Sequence, residues 1–92
     1  MRTTLFRDRK TGEQVEAVFL TVDNINEVAR WCGGSIFDNV EGEAWLGVPS
    51  RKGLYYAWAG FYVIKKDLLS PRSDFMTFRS GPSFDDRFER VW

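Results

Sequence analysis

The chain is 92 residues long, 43% hydrophobic, 28% charged and 16% aromatic, which is the composition of one small folded domain and not of a disordered segment. Its 13 basic residues balance its 13 acidic ones, so no net charge draws it toward nucleic acid or anionic lipid. It has no histidine and one cysteine, which excludes His-dependent triads and His-ligated metals, an internal disulfide and a thiolate zinc site within the chain.

Residues 3–9 alternate weakly and run into Lys10-Thr11-Gly12, a turn signal. Residues 13–22 are rich in β-branched and apolar side chains, with Val15, Ala17 and Phe19 on one face and Val18, Leu20 and Val22 on the other. The second half of this run is apolar on both sides, which marks a central strand, covered in part on both faces. The two segments predict an antiparallel hairpin around Thr11-Gly12.

The one long helix is expected over 24–33. Asn24 stands at the cap position and Glu27 three residues on, a variant of the capping box. Ile25, Val28, Ala29 and Cys32 form a single apolar stripe, and Gly33-Gly34 supplies the left-handed stop. Trp31 belongs at the edge of the buried contact.

The remainder predicts strands. Ser35–Val40 and Glu43–Val48 flank a turn at Glu41-Gly42, with Ala44, Leu46 and Val48 on one face. Pro49–Gly53 is expected as a polar loop. Leu54–Trp58 and Phe61–Lys66 flank Ala59-Gly60, and Phe75–Arg79 is a last strand after a loop at 67–74. Phe84 and Phe88, spaced i, i+4, suggest one helical turn capped by Ser83. The fold class is α+β in a single domain, 1–92: a small, mostly antiparallel sheet of about six or seven short strands with one α-helix packed on one face.

Each group with potential chemistry has a plainer explanation. Cys32 lies on the buried stripe at a helix C-terminus, where the dipole disfavours a thiolate. Asp67, Asp85, Asp86, Glu41 and Glu43 read as surface charge. The glycines match neither a P-loop nor a dinucleotide fingerprint. The expectation is a non-enzyme without cofactor or metal. No signal-type leader follows Met1, and no apolar run approaches a membrane span, so a cytoplasmic location is expected.

Charge is balanced overall but segregated along the chain, with residues 1–12 at +3, 13–43 at −6 and 44–84 at +4. Such segregation suits a charged partner or self-association. Tyr55, Tyr56, Trp58, Phe61 and Tyr62 lie on two successive strands near Lys65 and Lys66. That is the composition of a base-stacking face, but the RNP1 pattern is absent and a protein-binding patch fits as well. The expected partner surface is Arg51, Lys52, Tyr55, Tyr62, Lys65 and Lys66.

In order, VEAV (Val15–Val18), NINEVARWCGG (Asn24–Gly34), GFYVIKK (Gly60–Lys66), DFMTFRS (Asp74–Ser80) and FDDRFERV (Phe84–Val91) span nearly the whole chain. This succession resembles a family of small actinobacterial phage and prophage proteins, whose most specific shared element is the helix end Trp31-Cys32-Gly33-Gly34. The resemblance implies a phage accessory product in a bacterial host, and no catalytic residues. The expected function is a non-enzymatic protein that binds a host protein and alters host physiology, through growth inhibition or exclusion of a competing phage. Two alternatives stand beside it: a sponge for a small signalling nucleotide, and a nucleic-acid-binding accessory factor. A deep pocket of Tyr, Trp and Arg would favour the sponge, a flat exposed aromatic patch protein binding, and a continuous basic stripe nucleic acid.

Overall fold

The computed structural model describes residues 1–91. Among the described residues the chain forms eight strands, interrupted by two short helices. These are β1 (Thr4–Asp8), β2 (Gln14–Phe19), α1 (Ile25–Cys32), β3 (Ser35–Asp38), β4 (Ala44–Ser50), β5 (Gly53–Ala57), β6 (Phe61–Lys66), β7 (Asp74–Arg79), α2 (Pro82–Arg87) and β8 (Phe88–Arg90). All pairing is antiparallel. The class is α+β with one principal helix, as expected. The strands divide between a five-stranded sheet, ordered β7-β6-β2-β1-β8, and a three-stranded sheet, ordered β3-β4-β5.

β2 is the central strand that its two apolar faces predict. Val15 and Ala17 join one core cluster with Phe6, Ile64, Phe84 and Phe88. Val18 and Leu20 join the other, with the α1 stripe and Leu46, Val48, Ala57 and Val63. The large sheet is therefore the middle layer. One face carries α2, and the other carries the small sheet together with α1. The α1 stripe is buried as expected, and Trp31 sits at its edge with its ring against Phe75, 5.3 Å between centroids.

The ends of α1 differ from each other in how well sequence describes them. Gly33 adopts the left-handed conformation (φ 68°) and stops the helix. Gly34 follows in a place where a Cβ would lie 2.5 Å from the Gly47 carbonyl oxygen, so only glycine lets the chain pass over β4. Asn24 makes no side-chain cap. Its carboxamide turns back instead: Oδ1 accepts the Thr21 N–H at 2.8 Å and Nδ2 donates to the Phe19 carbonyl at 2.9 Å. Asn24 thus closes the turn that ends β2 at Phe19, short of the expected Val22.

Other boundaries moved for local reasons. The expected loop at Pro49–Gly53 is a tight hairpin in which Ser50 pairs with Gly53. Pro49 is tolerated within β4 because β3 reaches only to Gly47, leaving that side of the strand open. Pro82, not Ser83, opens α2, with Gly81 at its cap. β8 was not foreseen: Phe88–Arg90 pairs with β1 and closes the far edge of the large sheet. Asp8 holds that edge. Its carboxylate accepts a fork from Arg87, Nε to Oδ1 at 3.1 Å and Nη2 to Oδ2 at 3.1 Å, and the Lys10 N–H at 2.9 Å.

Candidate binding face

Ala59-Gly60 does not join two neighbouring strands of one sheet. Among the described residues, β6 pairs with β2 and β7, while β5 pairs with β4 alone. The chain crosses between the sheets at this turn, where the Gly60 N–H donates to the Leu20 carbonyl and the Phe61 N–H to the Trp58 carbonyl. The six residues expected as a partner surface are divided accordingly.

Arg51 and Lys66 do come together, around Asp74. The Asp74 carboxylate accepts the Arg51 and Phe75 backbone N–H groups at 3.0 Å, and the Lys66 ammonium lies 3.7 Å away. The Arg51 guanidinium is committed within the chain: it meets Asp67 at 3.0 Å and donates to the Arg72 carbonyl. These bonds tie the 67–73 loop to the β4–β5 turn. Burial pushes the Asp74 carboxyl up, but the two N–H donors and the Lys66 and Arg51 charges outweigh it and hold it below the ordinary aspartate value. Lys52 is exposed at the tip of the turn. Tyr55 is half-buried on the core side of β5, opposite Val48. Tyr62 lies on the far face of the large sheet, stacked on Phe84 with centroids 3.9 Å apart. Lys65 faces Glu16 and Phe75 in register. The six do not form one surface.

Beside Arg51 is an open cleft of about 700 Å³ lined by Glu13, Gln14, Arg51, Asp67, Leu68, Leu69 and Ser70. It holds two carboxylates and no aromatic ring, which is poor chemistry for a nucleotide. Cys32 is buried, and its burial pushes the thiol up, away from nucleophilic character.

The continuous apolar surface is elsewhere. Strand alternation sends Ala44, Leu46 and Val48 inward, so Trp45, Gly47 and Pro49 point outward. Register then places Phe37 opposite Trp45, Tyr56 opposite Gly47 and Leu54 opposite Pro49. Trp58 continues the same face past the end of β5. Trp45 is the centre: Phe37 stacks on it at 4.4 Å and 19°, Tyr56 meets it edge-on at 5.0 Å, and Trp58 lies tilted at 5.9 Å. Phe37 is 40%, Leu54 49% and Tyr56 55% exposed, so large side chains stand in water here, with no second layer over them among the described residues. Gly47 is needed beneath them, since a Cβ there would come within 2.9 Å of the Phe37 ring and 3.3 Å of Leu54.

Among the described residues no charged side chain interrupts this face, but charges frame it. Glu41 and Glu43 lie in the β3–β4 turn, at the end of the sheet that carries Trp58, with Asp38 next to them in the inward phase of β3, and Arg51 and Lys52 lie at the opposite end. Tyr56 and Trp58 belong to the aromatic run singled out from sequence, while Phe37 and Trp45 do not. The signal for them is simple alternation: both are out of phase with the residues that face the core.

The fold and this face define a small α+β domain of two antiparallel sheets with an uncovered aromatic surface. In comparisons with known proteins, no family model, no curated protein and no solved structure matches the chain. No helix among the described residues is long and apolar enough to cross a membrane.

Proposed function

We propose that this domain is a non-catalytic binding module that docks on a protein partner through the outer face of its small sheet. The observation that carries this reading is the uninterrupted aromatic surface of Phe37, Trp45, Tyr56 and Trp58 with Leu54 beside it. Folded domains normally hide such a surface; where it stays in water, it marks an interaction site, and Trp and Tyr are the residues that most often dominate binding energy. The phage-like succession of motifs supports a setting in the cytoplasm of a bacterial host, with a host protein as partner and altered host physiology as outcome.

The test compares capture by three forms of the domain from host lysate. Wild type should retain a specific host protein, and Leu54→Ser with Tyr56→Ser should lose it while keeping the native melting temperature. Lys65→Ser, on the large sheet and outside the Asp74 ion pair, should retain it. Undiminished capture by the Leu54/Tyr56 variant would place the interaction on another surface.

A further inference from the structure

Resting on that reading, we infer that the ligand of the outer face is an extended, proline-rich segment carrying a basic residue at one end. Size argues first. The seven residues of β4 span roughly 23 Å, and three strands are roughly 10 Å wide between outer axes. The face therefore has a footprint on the order of 230 Å², well under the roughly 800 Å² per partner that a standard interface between folded proteins buries. A single extended peptide fits: about seven residues of polyproline II cover the same length.

Hydrogen bonding argues second. The backbone of β4 is paired with β3 over Ala44–Gly47 and with β5 over Leu46–Ser50, and its polar groups lie in the plane of the sheet, so a ligand lying across the face gains no backbone pairing from it. A chain bound there must keep its own backbone polar groups hydrated or lack donors. Polyproline II does both, with a fully solvated backbone and no N–H at each proline. Its exposed carbonyls need donors. The Tyr56 hydroxyl and the Trp45 and Trp58 indole N–H groups enter no side-chain hydrogen bond among the described residues. They stand on the rings that would stack on the prolines, the arrangement by which aromatic-lined grooves take proline-rich ligands.

Charge sets the direction. Glu41 and Glu43 lie at the Trp58 end, and among the described residues neither is in a salt bridge. At the other end Arg51 is held by Asp67, leaving Lys52 alone. An Arg or Lys at one end of the ligand meets the free acidic turn, while the prolines lie across Trp45 and Tyr56.

The experiment titrates the intact domain with synthetic peptides of about ten residues, a proline-rich peptide ending in Arg, the same peptide ending in Glu, and a Gly/Ser-rich peptide ending in Arg. Binding is followed by Trp fluorescence and by amide chemical shifts. The proline-rich Arg peptide should bind, with shifts confined to β3, β4, β5 and Trp58. Tyr56→Ser should weaken it about tenfold. Glu41→Lys with Glu43→Lys, in an exposed turn that cannot unfold the domain, should weaken the Arg peptide by several fold and remove the preference over the Glu peptide. Equal binding of the Gly/Ser peptide, or no shifts with either proline-rich peptide at millimolar concentration, overturns the inference. Sedimentation of the free domain separates the remaining occupant: a concentration-dependent dimer lost in Tyr56→Ser would mean that a second copy fills the face. That outcome overturns the peptide ligand while leaving the face as a protein-binding surface. Loss of host-protein capture in the Leu54/Tyr56 variant alongside failure of every peptide would likewise sink only the ligand class.

Discussion

Three residues show how local chemistry holds this small domain. Asp8 and Asp74 are both buried carboxylates. For Asp8, burial raises the pKa, but the Arg87 fork and the Lys10 N–H more than offset this and hold it below the ordinary value. A depressed native pKa stabilises the fold above the unfolded pKa, and that stability is lost as pH falls through the native one. Acid unfolding should therefore set in below about pH 4. Asp8→Asn should cost about 1–3 kcal/mol at pH 7 and flatten the pH dependence of stability, as read from urea midpoints between neutral and acid pH. Unchanged midpoints would show that the Arg87 fork contributes nothing. The third residue, Cys32, should react with a thiol reagent slowly in the native state and rapidly in denaturant, because its thiol is buried in the core under α1's apolar stripe and pushed away from ionisation. Rapid native reaction would contradict its burial. Cys32 was legible in the sequence through its place on the apolar stripe. The role of Asn24 was not, because a cap and a turn closure use the same carboxamide and only the path of the preceding residues decides between them.

At the level of elements, α1 and the aromatic layer under α2 carry the two cores. Val28 is fully buried between α1 and the sheets, so Val28→Asp leaves an unpaired charge without water and should cost at least about 3 kcal/mol, enough to unfold a domain of this size. Wild-type circular dichroism and melting for that variant would remove the amphipathic-helix account. Phe84 stacks on Tyr62 and meets Phe6, Phe78 and Phe88, so Phe84→Ala should destabilise by about 3–5 kcal/mol. Periodicity made α1, β2, the first hairpin and the β3–β4 hairpin readable, since each is specified within a dozen or so residues. β8 was unreadable for the opposite reason: Phe88-Glu89-Arg90 is too short for a period, and its partner, β1, lies at the other end of the chain. The split between sheets escaped for a similar reason. Leu54–Trp58 and Phe61–Lys66 look like hairpin arms locally, but the ladder from β6 to β2 draws them apart.

At the scale of the molecule, the three layers formed by the described residues leave the outer face of the small sheet uncovered. The large sheet is covered by α2 on one side and by the small sheet with α1 on the other, whereas the small sheet has a core on one side only. The outer face therefore owes nothing to the interior, and its rings are free to serve a partner. Its composition was partly legible, through Tyr56 and Trp58. Its assembly was not, because it depends on β3, β4 and β5 pairing with one another and on Gly47 leaving room for Phe37 and Leu54. The most direct test is hydroxyl-radical footprinting of the domain free and bound to its captured partner, which reads aromatic side chains one by one. Phe37, Trp45, Tyr56 and Trp58 should be oxidised in the free domain and protected in the complex, with Tyr62 unchanged. Protection confined to residues around Arg51, Lys65 and Lys66, with the four rings still oxidised, would contradict the account.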